Sequence, residues 1–217
     1  IEALSAKLPE GAVVVTDMGT AFTCTMQTFS TKYRQRLFTS SGLAAMGFGL
    51  PGAIGACFAS GRQRVICVAG DGGLQMSVQE IQTVVHYKLP ITLFVLDNSG
   101  YMSIRWTQAT HYGREVCAGP GSGQSSPDFV KVGEAYGLPS VRIENQDCLS
   151  TELDQALAAE GPLICVVKMP DMQELIPRVS TQRFDDGSLI AKPLEDMFPF
   201  MDREEFRKNM DIEPIEE

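Results

Sequence analysis

Short apolar runs and longer stretches with helical spacing alternate along most of the chain. The apolar runs are rich in β-branched residues and are continuous, as is typical of strands whose two faces are both buried. They predict five strands, at residues 12–16, 64–69, 91–96, 141–144 and 163–168. The stretches between them predict four helices, at residues 43–60, 74–87, 127–136 and 149–160. This order predicts an α/β fold with a doubly wound, mostly parallel sheet and helices on both faces.

The alternation of strands and helices ends near Met169. Residues 170–217 contain five prolines, and they carry 13 acidic and 6 basic side chains out of 27 and 18 in the chain. We therefore predict a domain at residues 1–169 and an extended, acidic, proline-containing C-terminal tail at residues 170–217, with one helix near residues 202–209. Residues 189–206 are amphipathic and carry aromatic side chains. They would either pack on a partner or over the site, or form a simple surface strap.

Composition limits the classes of partner. The net charge is −9 and no basic stripe is visible, which argues against nucleic acid as a partner. No apolar run approaches the roughly 20 residues of a membrane span. The six cysteines form no CxxC pair, so we expect buried free thiols and a cytoplasmic location. Because the chain starts at Ile1 without a signal pattern, we expect a fragment or a processed chain.

Polar, glycine-containing turns follow three of the predicted strands. They lie at residues 16–20, 70–73 and 97–101. In open parallel sheets, ligands bind beyond the carboxyl ends of the strands. The three turns therefore predict a shared anion site. A fourth glycine-rich segment, residues 118–126, has the composition of either a loop near that site or a plain connector.

The second and third turns carry the strongest candidate chemistry. Gly70-Asp71-Gly72 and Asn98-Ser99-Gly100 follow neighbouring predicted strands, with Asp71 and Asn98 27 positions apart. A carboxylate, a carboxamide and nearby carbonyl oxygens suit Mg²⁺ or Ca²⁺ bound to a phosphate ligand. Gly72 and Gly73 would let backbone amides approach the phosphate at a helix start. The alternative is two ordinary turns at strand ends.

The stretch from Gly70 to Tyr101 resembles the signature of thiamine-diphosphate enzymes, and most of all their acetolactate synthase branch. The resemblance implies that thiamine diphosphate and Mg²⁺ are the cofactors. It places metal binding on the side chains of Asp71 and Asn98 and on the Gly100 carbonyl. One departure is Asp97, which stands where the family usually has an asparagine that is not expected to bind the metal directly.

Residues 40–56 resemble the family segment beneath the pyrimidine ring of the cofactor. By this resemblance Met46 is the apolar wedge that bends the cofactor, and the Ala44 carbonyl accepts a hydrogen bond from its amino group. The turn around Gly19 is similar to the decarboxylase branch, so Thr20 would either bond the diphosphate or cap a helix. The implied cofactor-binding residues are Gly19, Thr20, Ala44, Met46, Gly70, Asp71, Gly72, Gly73, Asn98, Gly100, Tyr101 and Met102.

A competing pattern lies within the same segment. Gly47, Gly49 and Gly52 have the spacing of the dinucleotide fingerprint, and Asp71 follows at the distance of a ribose-binding acid. However, the preceding residues 37–41 make a poor buried strand, and Asn98-Ser99-Gly100 would have no role. A nicotinamide-dinucleotide-binding domain is therefore the weaker alternative.

The resemblance implies an enzyme, a transferase or lyase, that acts on a 2-oxoacid by decarboxylation and then joins the product to an acceptor. The family's catalytic glutamate lies on a pyrimidine-binding domain that this chain lacks. We therefore expect another domain or subunit to complete the active site, in a homo-oligomer. Ser103 stands where the acetolactate synthase pattern has Met, and the pocket Trp of that pattern aligns with Thr107, one position after Trp106. These departures leave the donor substrate open. A simple 2-oxoacid decarboxylase and a non-catalytic binding module are the alternatives.

Overall fold

Six strands form one parallel sheet in the computed structural model of the protein, which describes residues 1–183, 186, 187 and 189–212, except the side chains of Gln182 and Arg183. The order in the sheet is β2-β1-β3-β4-β6-β5, and each neighbouring pair is parallel. The strands are β1 Val13–Thr16, β2 Arg36–Phe38, β3 Val65–Gly70, β4 Ile91–Asp97, β5 Ser140–Ile143 and β6 Leu163–Lys168.

This sheet confirms the predicted fold class. All five predicted strands are present, each with its ends within one residue of the prediction. The strand that the sequence did not reveal is β2, which has only three residues and lies at the edge of the sheet. Since its residues are exposed or half-buried, it lacks the continuous apolar run that marks a buried strand.

Helices connect the strands, and several differ from the predicted ranges. The predicted helix at residues 43–60 begins only at Gly49, because the residues before it form turns in which Ala44 has a φ of 52°. The predicted helix at 74–87 is divided into two α-helices and a 3₁₀ turn. The helices of the first 173 residues are α1 Glu2–Lys7, α2 Thr20–Thr28, α3 Gly49–Ala59, α4 Asp71–Leu74, α5 Ile81–Tyr87, α6 Met102–Tyr112, α7 Phe129–Ala135 and α8 Gln146–Ala158.

Alternate residues of each central strand enter opposite hydrophobic clusters. Val13 and Val15 of β1 pack in one cluster with α3, α5 and α7, whereas Val14 lies in the other with α1 and α8. Both faces of the sheet are therefore covered, which explains why its strands are apolar throughout. Three cysteines are buried in these clusters, Cys57, Cys67 and Cys165, while Cys117 is exposed.

The chain divides into two compact units, residues 1–173 and 174–217. The second unit contains an antiparallel pair, β7 Thr181–Arg183 and β8 Leu189–Ala191, and the helix α9 Arg203–Asn209. The helix agrees with the expectation at residues 202–209, and Asp202 caps it. The strand pair was not predicted. A functional division at residue 169 stays a prediction.

Within the described part of the chain, no helix has both the length and the apolar character needed to span a bilayer.

Candidate functional site

The three polar turns meet because their strands are neighbours in the sheet. Strands β1, β3 and β4 lie side by side, and all three point the same way. After β1 the chain continues to β2, which lies on one side of β1 at the edge of the sheet. After β3 it continues to β4, which lies on the opposite side. The carboxyl ends of β1 and β3 thus flank a topological switch point, where ligands bind in open α/β sheets.

Asp71 lies at this switch point as the first residue of α4, and only 1% of its surface is exposed. Its Oδ1 accepts a hydrogen bond from the Gly72 amide at 2.9 Å. Its Oδ2 accepts one from the Gly100 amide and one from the Ser126 hydroxyl, each at 2.8 Å. Because Oδ2 takes two donors, the carboxylate is fixed in orientation, with Oδ1 toward Asn98.

Burial dominates the electrostatics of this carboxylate. It raises the pKa of Asp71 from 3.8 to about 6, because the charged form loses its solvation, and the negative charge of Asp97 adds to that effect. The hydrogen bonds from Ser126, Gly72 and Gly100 act in the opposite direction. Because the buried Asp71 carboxylate has lost most of its solvation, it is well suited to bind a cation.

Asn98 completes the cluster from the end of β4, where it is also 1% exposed. One end of its amide lies 2.9 Å from the Thr20 hydroxyl, which can donate or accept. The other end lies 2.8 Å from the Gly100 carbonyl oxygen and 3.1 Å from Asp71 Oδ1. With the amide nitrogen at that end, both contacts are hydrogen bonds. With the amide oxygen there, three oxygens converge on one point.

This geometry fits a divalent cation. Adjacent oxygens around Mg²⁺ at about 2.1 Å are about 3 Å apart in an octahedron, and two of the three oxygen pairs have that separation here. In one orientation of the Asn98 amide, its nitrogen donates hydrogen bonds within the cluster. Rotation of the amide places its oxygen there instead and gives a set of three oxygen ligands. Thr20 is hydrogen-bonded to the amide in both orientations. The donors are one carboxylate, one carboxamide and one carbonyl, which is the chemistry that hard cations prefer.

A cleft of about 390 Å³, open to solvent, lies over this cluster. Eleven of the twelve residues predicted to bind a cofactor line it, and Ala44 does not. Ala44 is exposed, in the turn that precedes α3. Their role as ligands of a cofactor stays a prediction. The lining residues are Met18, Gly19, Thr20, Met46, Gly70, Asp71, Gly72, Gly73, Asn98, Gly100, Tyr101, Met102, Ser103 and Ile104.

Thr20 is the first residue of α2, and Gly19 occupies the N-cap position. The alternative in which Thr20 caps that helix is therefore wrong. Its hydroxyl instead contacts Asn98, and the residue is 5% exposed. A hydrogen bond from Thr20 to a diphosphate stays a prediction.

The sequence placed residues 16–20 in the predicted anion site and left residues 118–126 as a loop near it or a plain connector, but it assigned no role to Asp17 or Ser126 individually. Ser126 contacts Asp71, and the Ala118 carbonyl accepts a hydrogen bond from the Tyr101 amide at 2.9 Å, so residues 118–126 lie beside the site. Asp17 is 1% exposed and accepts hydrogen bonds from the Gly47 amide. The position of Asp17, directly after a buried strand as Asp71 is, was a signal that could have indicated it. The glycine-rich composition of residues 118–126 indicated a loop near the site or a connector, but nothing in it distinguished Ser126.

Together the fold and the site define an open α/β ligand-binding domain, with a polar cleft at the carboxyl edge of a parallel sheet. The model of the family described as "Thiamine pyrophosphate enzyme, C-terminal TPP binding domain" matches residues 17–167. The chain belongs to this family, so the predicted resemblance is confirmed. The dinucleotide pattern, by contrast, begins nine residues after the end of the edge strand β2, and its first two glycines, Gly47 and Gly49, pack against Asp17.

Relatives of the chain include large subunits of acetolactate synthase. The chain is 33% identical to the "Probable acetolactate synthase large subunit" of Methanococcus aeolicus over 155 residues, which are 71% of this chain and 26% of that protein. It is 32% identical to the acetolactate synthase large subunit of Pyropia yezoensis over 86% of this chain and 32% of the relative. For isozyme 2 of Escherichia coli (strain K12) the values are 32%, 82% and 32%. The chain thus spans between a quarter and a third of these relatives.

Proposed function

We propose that the chain binds thiamine diphosphate through Mg²⁺ and serves an acetolactate synthase-like enzyme, which decarboxylates a 2-oxoacid and joins the product to an acceptor. The observation that carries the proposal is the convergence of Asp71, Asn98 and the Gly100 carbonyl at the floor of the cleft. Membership in the thiamine pyrophosphate family and the similarity to acetolactate synthase subunits support it.

Each part of the cleft has a role in this proposal. Asp71, Asn98 and the Gly100 carbonyl hold the metal, which neutralises the diphosphate. The backbone at Gly19, Gly72 and Gly73 approaches the phosphate oxygens. None of the residues that line the cleft is a lysine or an arginine, so the metal and the backbone dipoles must offset the charge of the ligand.

Bound thiamine diphosphate supplies the electron sink that breaks and forms carbon–carbon bonds beside a carbonyl. The residues of this chain bind and orient the cofactor and exclude water from its diphosphate end. Met46 lines the cleft with 41% of its surface exposed, in keeping with an apolar side chain that awaits a ring to pack against. The catalytic glutamate belongs to the pyrimidine-binding domain and is not assigned to any residue here.

The partner in this proposal is a pyrimidine-binding domain or subunit in a homo-oligomer. Large apolar side chains are exposed in and near the cleft: Leu43 at 90%, Met76 at 49% and Ile104 at 38%. Such side chains are typical of a surface that another domain covers. The small-molecule substrate is a 2-oxoacid. We place the enzyme in the cytoplasm, on the ground that the chain has three buried free thiols.

The second candidate is a non-oxidative 2-oxoacid decarboxylase. The turn of Gly19 and Thr20 at the cleft favours it, because this turn is similar to the decarboxylase branch, and Ser103 departs from the acetolactate synthase pattern. The two reactions share the cofactor site and differ in whether the product is joined to an acceptor or protonated. Product analysis with pyruvate, alone and with a second 2-oxoacid, distinguishes them.

Calorimetric titration of thiamine diphosphate, with and without Mg²⁺, tests the proposed site. The titration is made first on this chain and then on the assembly that includes the pyrimidine-binding domain, since half of the predicted site lies there. We expect binding that requires the metal. If the complete assembly binds NAD without a metal and ignores thiamine diphosphate, the proposal is wrong. Metal-dependent binding without release of CO₂ would instead indicate a non-catalytic module.

The affinity for Mg²⁺ and cofactor should depend on the ionisation of Asp71. Because the pKa of Asp71 is raised to about 6, a proton competes with the metal below that pH. We expect affinity to be constant above about pH 7 and to fall by about tenfold per unit well below pH 6. Without the metal, the stability of the fold depends on pH in the opposite direction. Because the pKa of Asp71 is higher in the folded chain than in the unfolded chain, Asp71 contributes more to the free energy of unfolding below pH 4 than above pH 6. Calorimetry and thermal unfolding at pH 5 and 7 measure both trends, and Asp71→Asn should remove its share of each.

A further inference from the structure

Asp17 is the second buried carboxylate at the switch point, and its partners are backbone amides. It directly follows β1 and is 1% exposed. Its Oδ1 accepts hydrogen bonds from the Met18 amide at 2.7 Å and the Gly47 amide at 2.9 Å, while Oδ2 lies 3.1 Å from the same Gly47 nitrogen. The amides of Phe48 and Gly49 also stabilise its charged form, against the burial that raises its pKa.

The segments around Asp17 approach so closely that only glycine fits. A Cβ on Gly49 would lie 2.9 Å from the Asp17 Cβ, and one on Gly73 would lie 2.9 Å from Asp17 Oδ2. Carbon atoms do not pack at such distances without displacement. Asp17 is thus enclosed between the start of α3 and the turn that begins α4, and both segments border the cleft.

This arrangement determines where the turn around Met46 lies. Helix α3 begins at Gly49. Its N-cap residue is Phe48, whose side chain makes no capping hydrogen bond. The carboxylate of Asp17 takes that role from 30 residues away in sequence, since a negative charge at a helix start offsets the exposed amides. Met46 precedes the anchored Gly47 directly. Its own side chain is 41% exposed, so packing alone holds it weakly.

We propose that Asp17 is a positioning residue that anchors the Gly47–Gly49 backbone and thereby fixes Met46 at the cleft. The proposal rests on the proposed function, because it assigns Met46 to the pyrimidine end of thiamine diphosphate. Asp17 itself does not line the cleft. Its effect on the cofactor therefore passes through the residues that it anchors.

Two ligands separate this role from a general role in folding. Inorganic pyrophosphate with Mg²⁺ reports on the diphosphate end, and thiamine diphosphate with Mg²⁺ reports on both ends. We expect Asp17→Asn to weaken thiamine diphosphate by about tenfold, the cost of disturbed hydrogen bonds to a buried charge, and pyrophosphate by less than about threefold. Met46→Ala should give the same pattern. The double variant should be no worse than either single variant, because both changes remove one interaction.

Asp128→Asn is the matched control. Asp128 also accepts a backbone hydrogen bond at a helix start, from Val130 at 3.0 Å, but the residues that it contacts, Val130 and Arg142, do not line the cleft. It should leave both affinities unchanged. Equal weakening of both ligands by Asp17→Asn, or additive effects in the double variant, would show that Asp17 only stabilises the fold.

Amide hydrogen exchange tests the anchor without any ligand. In the wild type, the Gly47 amide should exchange as slowly as those of the central strands, and at least about 100-fold more slowly than the turn before it. Asp17→Asn should abolish that difference. Fast exchange at Gly47 in the wild type would overturn the inference even if the variant does not fold. If the wild type shows the slow exchange but binds no thiamine diphosphate, the proposed function fails while the anchor stands.

Discussion

Replacing Asp71 by alanine is expected to weaken Mg²⁺-dependent binding of thiamine diphosphate by more than about 100-fold, the largest effect among the site residues. The change removes the only carboxylate among the three converging oxygens. It also leaves the Gly100 amide and the Ser126 hydroxyl without their acceptor. Calorimetry in the presence of Mg²⁺ measures the loss, and circular dichroism checks that the sheet is intact.

Asp97→Asn is the control for this experiment. Asp97 ends the same strand as Asn98, but its Oδ2 lies 3.4 Å from Lys168 Nζ and its side chain is 24% exposed. We expect a change in affinity of less than about threefold, because this charge is partly exposed and paired with Lys168. If the two variants weaken binding equally, the effect is one of net charge, and the assignment of Asp71 as a metal ligand is wrong.

Gly100→Ala should affect the metal site and the stability of the fold together. The backbone at Gly100 has a φ of 133°, which side-chain-bearing residues rarely adopt. A Cβ there would overlap the Gln124 amide oxygen and lie 2.6 Å from the Ala118 carbonyl oxygen. We expect a loss of about 3 kcal/mol in the free energy of unfolding, from overpacking and backbone strain. Metal affinity should fall with it, because the Gly100 carbonyl would be displaced.

Thermal unfolding and Mg²⁺ titration measure the two effects of Gly100→Ala. Gly121→Ala serves as the comparison, since a Cβ at Gly121 would meet nothing within 4 Å and the backbone there is not left-handed. That variant should behave as the wild type in both measurements. A Gly100→Ala protein with normal metal affinity would contradict the role of the Gly100 carbonyl.

Much of the sheet could be predicted because its central strands are buried on both faces. Residues 91–96 and 163–168 read as continuous apolar runs for that reason, and the strands lie at these positions. The start of α3 was predicted too early because Leu43 and Met46 have the spacing of a buried helix face. Both are exposed in a turn, and a single sequence gives no sign of that.

The candidate site was predictable to the extent that it depends on strand order. Parallel neighbours bring their carboxyl ends together, so Asp71 and Asn98 could be placed side by side before their contact was seen. The contacts of Ser126 with Asp71 and of Asp17 with Gly47 join residues 55 and 30 positions apart. They depend on the path of irregular segments, which no periodicity encodes.

The origin of the site in three separate strands has a consequence for how the protein matures. Asp17 follows β1, whereas the three oxygens of the proposed metal site follow β3 and β4, and the distances among these oxygens exist only when β3 and β4 are in register. A chain that ends before β4 has only the Asp71 carboxylate of this set. Binding of the proposed cofactor therefore has to follow the pairing of these two strands, and it stabilises the folded domain.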